Sequence, residues 1–145
     1  MAHDDGAAAL SEELRIAVWV MSRRMRTRVQ EATDLPQAQQ SVLALLDEHP
    51  GQTGAELART EAVRPQSMNK TVSALRAAGL VSASPSPEDG RRQELSLTDA
   101  GRDVLANVRS LRGDWLTARI EQETDDDDRA ALRRAAHLLR RLAAE

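Results

Sequence analysis

The sequence predicts a predominantly α-helical chain carrying one small β-hairpin, an α+β arrangement in which the hairpin is an appendage. Three observations predict it. Apolar residues recur at spacings of 3 and 4 through most of the chain. Alanine, 24 of the 145 residues, and arginine both favour helix. The period drops to 2 in one region only, between Leu80 and Leu97.

Residues 1–9 read as a loose tail, with Ser11 as an N-cap and Glu12 and Glu13 in the first turn. Leu14, Val18, Met21, Met25 and Val29 then mark one face of a long helix to about Ala32. Pro36 suits the first position of a second helix, which carries Val42, Leu43, Leu45 and Leu46 and stops at His49-Pro50-Gly51. Thr53-Gly-Ala-Glu56 is a capping box opening a short helix to about Thr60. After a brief turn, Pro65 starts a helix that ends at Gly79, with Leu80 as its apolar follower. Two helices across a tight turn are the skeleton of a helix-turn-helix. Leu80–Ser84 and Glu94–Leu97 read as strands around the turn segment Pro85–Arg91, whose tip is basic. Thr98-Asp99 caps another long helix with Val104, Val108, Leu111 and Trp115. Thr124 and the aspartates 125–128 suit the positive end of a last helix, which carries Leu132, Ala135, Leu139 and Leu142.

Composition excludes several functions. Without cysteine there is no disulfide, thiolate nucleophile or thiol-based sensor. His3, His49 and His137 lie far apart, so no metal site is expected, and the run 125–128 lacks the ligand spacing and glycine of a calcium loop. No Ser-His-Asp arrangement, phosphate loop or pair of catalytic carboxylates is present, so neither a catalytic nor a cofactor site is expected, and the chain does not read as an enzyme. The absence of a leader or a long apolar run points to the cytoplasm and away from membranes.

The net charge of −3 argues weakly against a nucleic-acid partner, but its distribution matters more. From Ala62 to Pro87 there are three cations, Arg64, Lys70 and Arg76, and no acid. Wound at 100° per residue, the Pro65 helix buries Met68, Val72 and Leu75 and turns Gln66, Lys70, Ser73 and Ala77 outward, with Ser67 and Asn69 on the flanks. Such a face suits the major groove: Asn and Gln bond adenine edges, Lys bonds guanine, small residues permit close approach, and no carboxylate repels phosphate. An ordinary solvated helix would share this pattern; its place behind a capped helix and a tight turn favours the DNA reading. Arg91 and Arg92 at the hairpin tip suit a minor groove, with Asp89 placed to hold the Arg91 guanidinium extended. Together these parts make a winged helix-turn-helix.

The residues also resemble a family. Leu35-Pro-x-x-Gln39-x-x-Val42-Leu43-x-x-Leu46, Glu56-Leu57-Ala58, Ala78-Gly79-Leu80-Val81 and Asp89-x-Arg91 followed by Leu95-x-Leu97-Thr98-x-x-Gly101 are similar to the text of MarR-family transcriptional regulators. The resemblance covers about residues 10–143, and Pro36 departs from the Thr or Ser common there. It implies a homodimer that binds a pseudo-palindromic DNA operator, usually as a repressor. It implies base reading by the Pro65 helix, minor-groove contact by Arg91 and release by a small aromatic or lipophilic effector. The chain divides on this reading into a DNA-binding region, 35–98, and a helical dimerisation region, 10–33 and 99–145, within a single unit 1–145. The candidate DNA contacts are Gln66, Ser67, Asn69, Lys70, Ser73, Arg91 and Arg92.

Residues alone also argue for a dimer. The terminal helices carry apolar stripes longer than a small, alanine-rich core needs, so a second copy would cover them. For an effector, Trp19 and Trp115 are the only residues able to stack, and Arg15 and Arg23 flank Trp19 by one turn and would pair with a carboxylate. The same tryptophans would serve equally as core. The competing function is a winged helix turned to protein–protein contact without sequence-specific DNA binding; the acid-free stretch argues against it.

Overall fold

The computed structural model describes residues 4–144. The order is α1 (Asp4–Thr33), α2 (Gln37–Glu48), α3 (Gly54–Thr60), α4 (Pro65–Ala77), β1 (Val81–Pro85), β2 (Gln93–Leu97), α5 (Asp99–Glu123) and α6 (Asp126–Ala143). Helices dominate and the two strands form an antiparallel hairpin, as the periodicity requires.

The start of α1 corrects the sequence reading. Residues 4–9 are helical rather than a loose tail, and Ser11 lies inside the helix instead of capping it. Ala7, Ala8 and Ala9 are the strongest helix formers, and their summed propensity outweighs one cap signal. Residues 1–3 lie outside the described residues. Pro36 is likewise one position earlier than expected, as the N-cap of α2 at φ −58°.

α3 opens on the expected capping box. Thr53 Oγ1 accepts from Glu56 N at 3.3 Å, and Glu56 Oε2 accepts from Thr53 N at 2.7 Å. Behind α4, Gly79 takes φ +72°, a left-handed turn that costs glycine least, and Leu80 N donates to Leu75 O at 2.9 Å. The hairpin pairs Val81 with Leu97 and Pro85 with Gln93. The α2–α3 loop adds a short third rung: Gly51 N donates to Leu95 O and Leu95 N to Gln52 O. At the far end, Asp125 and Asp128 cap α6 reciprocally.

One core joins these elements. Val29 of α1, Val42, Leu43 and Leu46 of α2, Leu57 of α3, Leu75 of α4 and Val108 of α5 are all almost completely buried. α6 and the first half of α1 do not join it. No residue of α6 is buried, while Leu10, Val18, Trp19, Leu138 and Leu142 are 49–76% exposed. An open groove of about 800 Å³ runs between the two helices, lined by Leu10, Leu14, Val18, Trp19, Leu139 and Leu142 among others.

Candidate nucleic-acid interface

The α4 surface follows from its packing. Met68, Val72 and Leu75 are 2%, 8% and 0% exposed and fix the helix against the core. Gln66, Ser67, Asn69, Lys70 and Ser73 are consequently all exposed. Asn69 lies against the start of α3: a Cβ added at Gly54 would meet its Oδ1 at 3.5 Å. Among the described residues, Arg64, Lys70, Arg76 and Arg91 have no carboxylate within ion-pair distance. Arg64 and Arg76 therefore extend the candidate surface beyond the residues singled out from sequence; the acid-free stretch was their signal.

The wing is built differently from the expectation. Asp89 Oδ1 accepts from the backbone N–H of Arg91 at 3.0 Å, and Asp89 O accepts from Arg92 N at 2.9 Å. The carboxylate thus shapes the turn instead of gripping the Arg91 guanidinium, because a side chain two residues away reaches the backbone first. The Arg91 side chain is left exposed at the tip. Arg92, expected beside it, turns back: its Nη2 lies 2.8 Å from Glu56 Oε1 on α3. Hydrogen bonds from the Thr53 backbone and hydroxyl, together with Arg92, hold the Glu56 carboxyl below its usual pKa.

The residues expected around an effector do not gather in one place. Arg15 and Trp19 line the α1–α6 groove, but Arg15 is taken up by Glu12 through bonds of 2.8 and 2.6 Å. Arg23 lies over the Trp19 ring, 5.4 Å from its centroid. Trp115 does not line that groove.

A second cleft, of about 210 Å³, opens where α1, α2 and α5 meet, and sequence reasoning missed it. Gln40, only 1% exposed, donates to Leu35 O at 2.8 Å and accepts from Arg112 Nη2 at 2.8 Å. Arg26 and Arg112 both line the cleft, and the Nε of each is buried without a hydrogen-bond partner. Burial first, then the charges of Arg26 and Arg109, pull the Arg112 pKa below its usual value. Among the described residues, no carboxylate lines the cleft. The readable signal was Gln40, a polar residue three before Leu43 on the buried face of α2.

Comparison with known proteins places this geometry. A model of the MarR family matches residues 33–92. An HTH-type transcriptional regulator of Mycobacterium leprae is 33% identical over 141 residues, 97% of each chain. An HTH-type transcriptional repressor of Mycobacterium tuberculosis is 42% identical over 69 residues, 48% of this chain and 50% of that one. A crystal structure of a Pseudomonas aeruginosa transcriptional regulator has a TM-score of 0.82 at 30% identity, covering 97% of both chains. A mutant of Staphylococcus aureus MepR, solved with a bound oligodeoxyribonucleotide, shares the fold at TM-score 0.67 and 18% identity, over 92% of this chain and 96% of that one.

Proposed function

The chain belongs to the MarR family of transcriptional regulators, and on that premise we propose that it is a homodimeric, sequence-specific repressor whose two α4 helices read a pseudo-palindromic operator. The observation that carries this is the α4 face: five polar or cationic side chains exposed together, with no acid on the helix. Gln66, Asn69 and Lys70 supply base-edge contacts, Ser67 and Ser73 supply hydroxyls at close approach, and Arg91 enters the flanking minor groove. Residues 35–98 are the DNA-binding region. The MepR relative, solved on an oligonucleotide, supports this use of the fold.

The dimerisation region is α1 with α5 and α6. Its support is the exposed apolar side chains of α1 and α6: Leu10, Val18, Trp19, Leu138 and Leu142 are all about half exposed or more, and grouped apolar exposure of this kind marks a surface for a partner. A twofold mate covering it presents two copies of α4 roughly 34 Å apart, one turn of B-form DNA. Release by a small effector fits the Arg26–Arg112 cleft better than the Trp19 face. Two cations with no acidic partner among the described residues favour an anion, and α1, α2 and α5 converge there, so occupancy changes the angle between the dimer helices and the winged region.

The test is fluorescence anisotropy with labelled duplexes from the DNA upstream of the chain's own gene, against scrambled duplexes. Preferential binding with a steep salt dependence is expected, and Asn69→Ala or Lys70→Ala relaxes the base preference. Equal, weak binding to every sequence overturns the reading.

A further inference from the structure

The geometry points to Arg92 and Glu56 as a positioning clamp that aims the wing, rather than to Arg92 as a second DNA contact. This inference rests on the DNA-binding reading and adds a part to it. Glu56 is shared between two jobs. Its Oε2 closes the α3 capping box, accepting from Thr53 N at 2.7 Å and from Thr53 Oγ1 at 2.9 Å. Its Oε1 holds the Arg92 guanidinium at 2.8 Å, across 36 residues of sequence. At the other end, the Arg92 backbone closes the hairpin: its carbonyl accepts from Ser86 N at 2.8 Å and its N–H donates to Asp89 O at 2.9 Å.

Lower in the wing, among the described residues, β2 is hydrogen-bonded to the α2–α3 loop by the two backbone bonds at Leu95. A ribbon tethered at one level swings about that level. The Arg92–Glu56 bond adds a second tether three residues nearer the tip, on the first helix of the helix-turn-helix. The tip is thereby fixed relative to α3, which packs directly on α4. Arg91, the neighbouring residue, inherits that orientation. The cation of Arg92 is meanwhile balanced by Glu56, so it contributes little to phosphate neutralisation.

The clamp and a plain electrostatic role give opposite signs for one substitution. Glu56→Gln keeps an acceptor for the capping box but removes an acid near the duplex. Charge alone would tighten binding. The clamp predicts weaker binding, roughly two- to five-fold per wing from the usual strength of half-exposed pairs. Arg92→Gln is expected to weaken binding by a similar factor and leave the salt dependence of log Kd unchanged. Arg91→Gln lowers that slope by about 0.9 for each phosphate it no longer neutralises. The double variant Glu56→Gln/Arg92→Gln is expected to bind no worse than either single variant. These affinities are measured on the full chain by anisotropy against its operator from 50 to 200 mM salt, with thermal unfolding confirming that each variant is folded. Tighter binding by Glu56→Gln, a reduced slope for Arg92→Gln, or additive losses in the double variant would each overturn the clamp. Failure of the unsubstituted chain to prefer its operator would instead overturn the DNA-binding reading itself.

Discussion

Gly101→Ala is the substitution for which helix propensity and packing disagree most sharply. Gly101 lies in the first turn of α5, its N–H donating to the Thr98 cap at 3.0 Å. A Cβ there would stand 2.1 Å from Leu80 O and 3.0 Å from Leu80 C, so the oxygen falls about 1.3 Å short of the 3.4 Å where ordinary contact begins. The obstacle is backbone, not a flexible side-chain end. It is held by two bonds, Thr98 N to Leu80 O at 3.1 Å and Thr98 Oγ1 to Gly79 O at 2.6 Å. Overpacking costs about 1–3 kcal/mol, and stretching one of those bonds adds about 1 kcal/mol. Alanine's better helix propensity returns up to about 1 kcal/mol. The net expectation is a destabilisation of about 2 kcal/mol. Gly113→Ala, in the same helix with no neighbouring atom within 4 Å of the new Cβ, is expected to stabilise by up to about 1 kcal/mol. Urea unfolding at one fixed protein concentration measures both, since assembly makes stability concentration-dependent. A Gly101→Ala protein as stable as the parent would refute the packing argument.

Acid titration gives a second test. The folded-state pKa of Glu56 is depressed, by its hydrogen bonds with Thr53 first and by Arg92 after them. Its contribution to stability is therefore complete above the unfolded carboxyl's value, near 4.5, and is lost as pH falls through the lower folded value. Glu56→Gln is expected to lower stability on the neutral plateau, where the carboxylate's contribution is complete, and to flatten the acid limb; an unchanged acid limb would contradict it. For the cleft between α1, α2 and α5, salicylate as an anionic probe is expected to raise the melting temperature of the parent and not of Arg112→Gln, whereas the neutral analogue salicylamide has no effect on either. Equal shifts with both compounds would argue against anion recognition there.

Local signals carried most of the fold. The Thr53–Glu56 box and Gly79 after α4 each act over a few residues, and the structure has them where the sequence implies. The first strand is displaced by one residue, to Val81–Pro85, with Pro85 in the strand rather than the turn, and the second, Gln93–Leu97, starts one residue earlier than expected. Pro36 and the start of α1 differ because cap and propensity signals compete at helix ends; at α1 three consecutive alanines tip the balance. Periodicity also marked the apolar stripes of α1 and α6, but it reports a face and not what covers that face. The structure leaves Leu138 and Leu142 largely open to water, 52% and 76% exposed. The candidate site divides in the same way. The α4 surface follows from the helical period and was legible. The destination of Arg92 was not, since its partner lies 36 residues away. Nor was the Arg26–Gln40–Arg112 cleft, which exists only where three distant helices converge.

Hydroxyl-radical footprinting of the operator duplex tests the central claim most directly, because it reads the spacing of contacts along the helix. A twofold pair of winged modules should protect two major-groove half-sites on one face, centred about 10–10.5 base pairs apart, with minor-groove protection outside each that disappears in Arg91→Ala. A single unrepeated patch, or protection that does not depend on sequence, would contradict it.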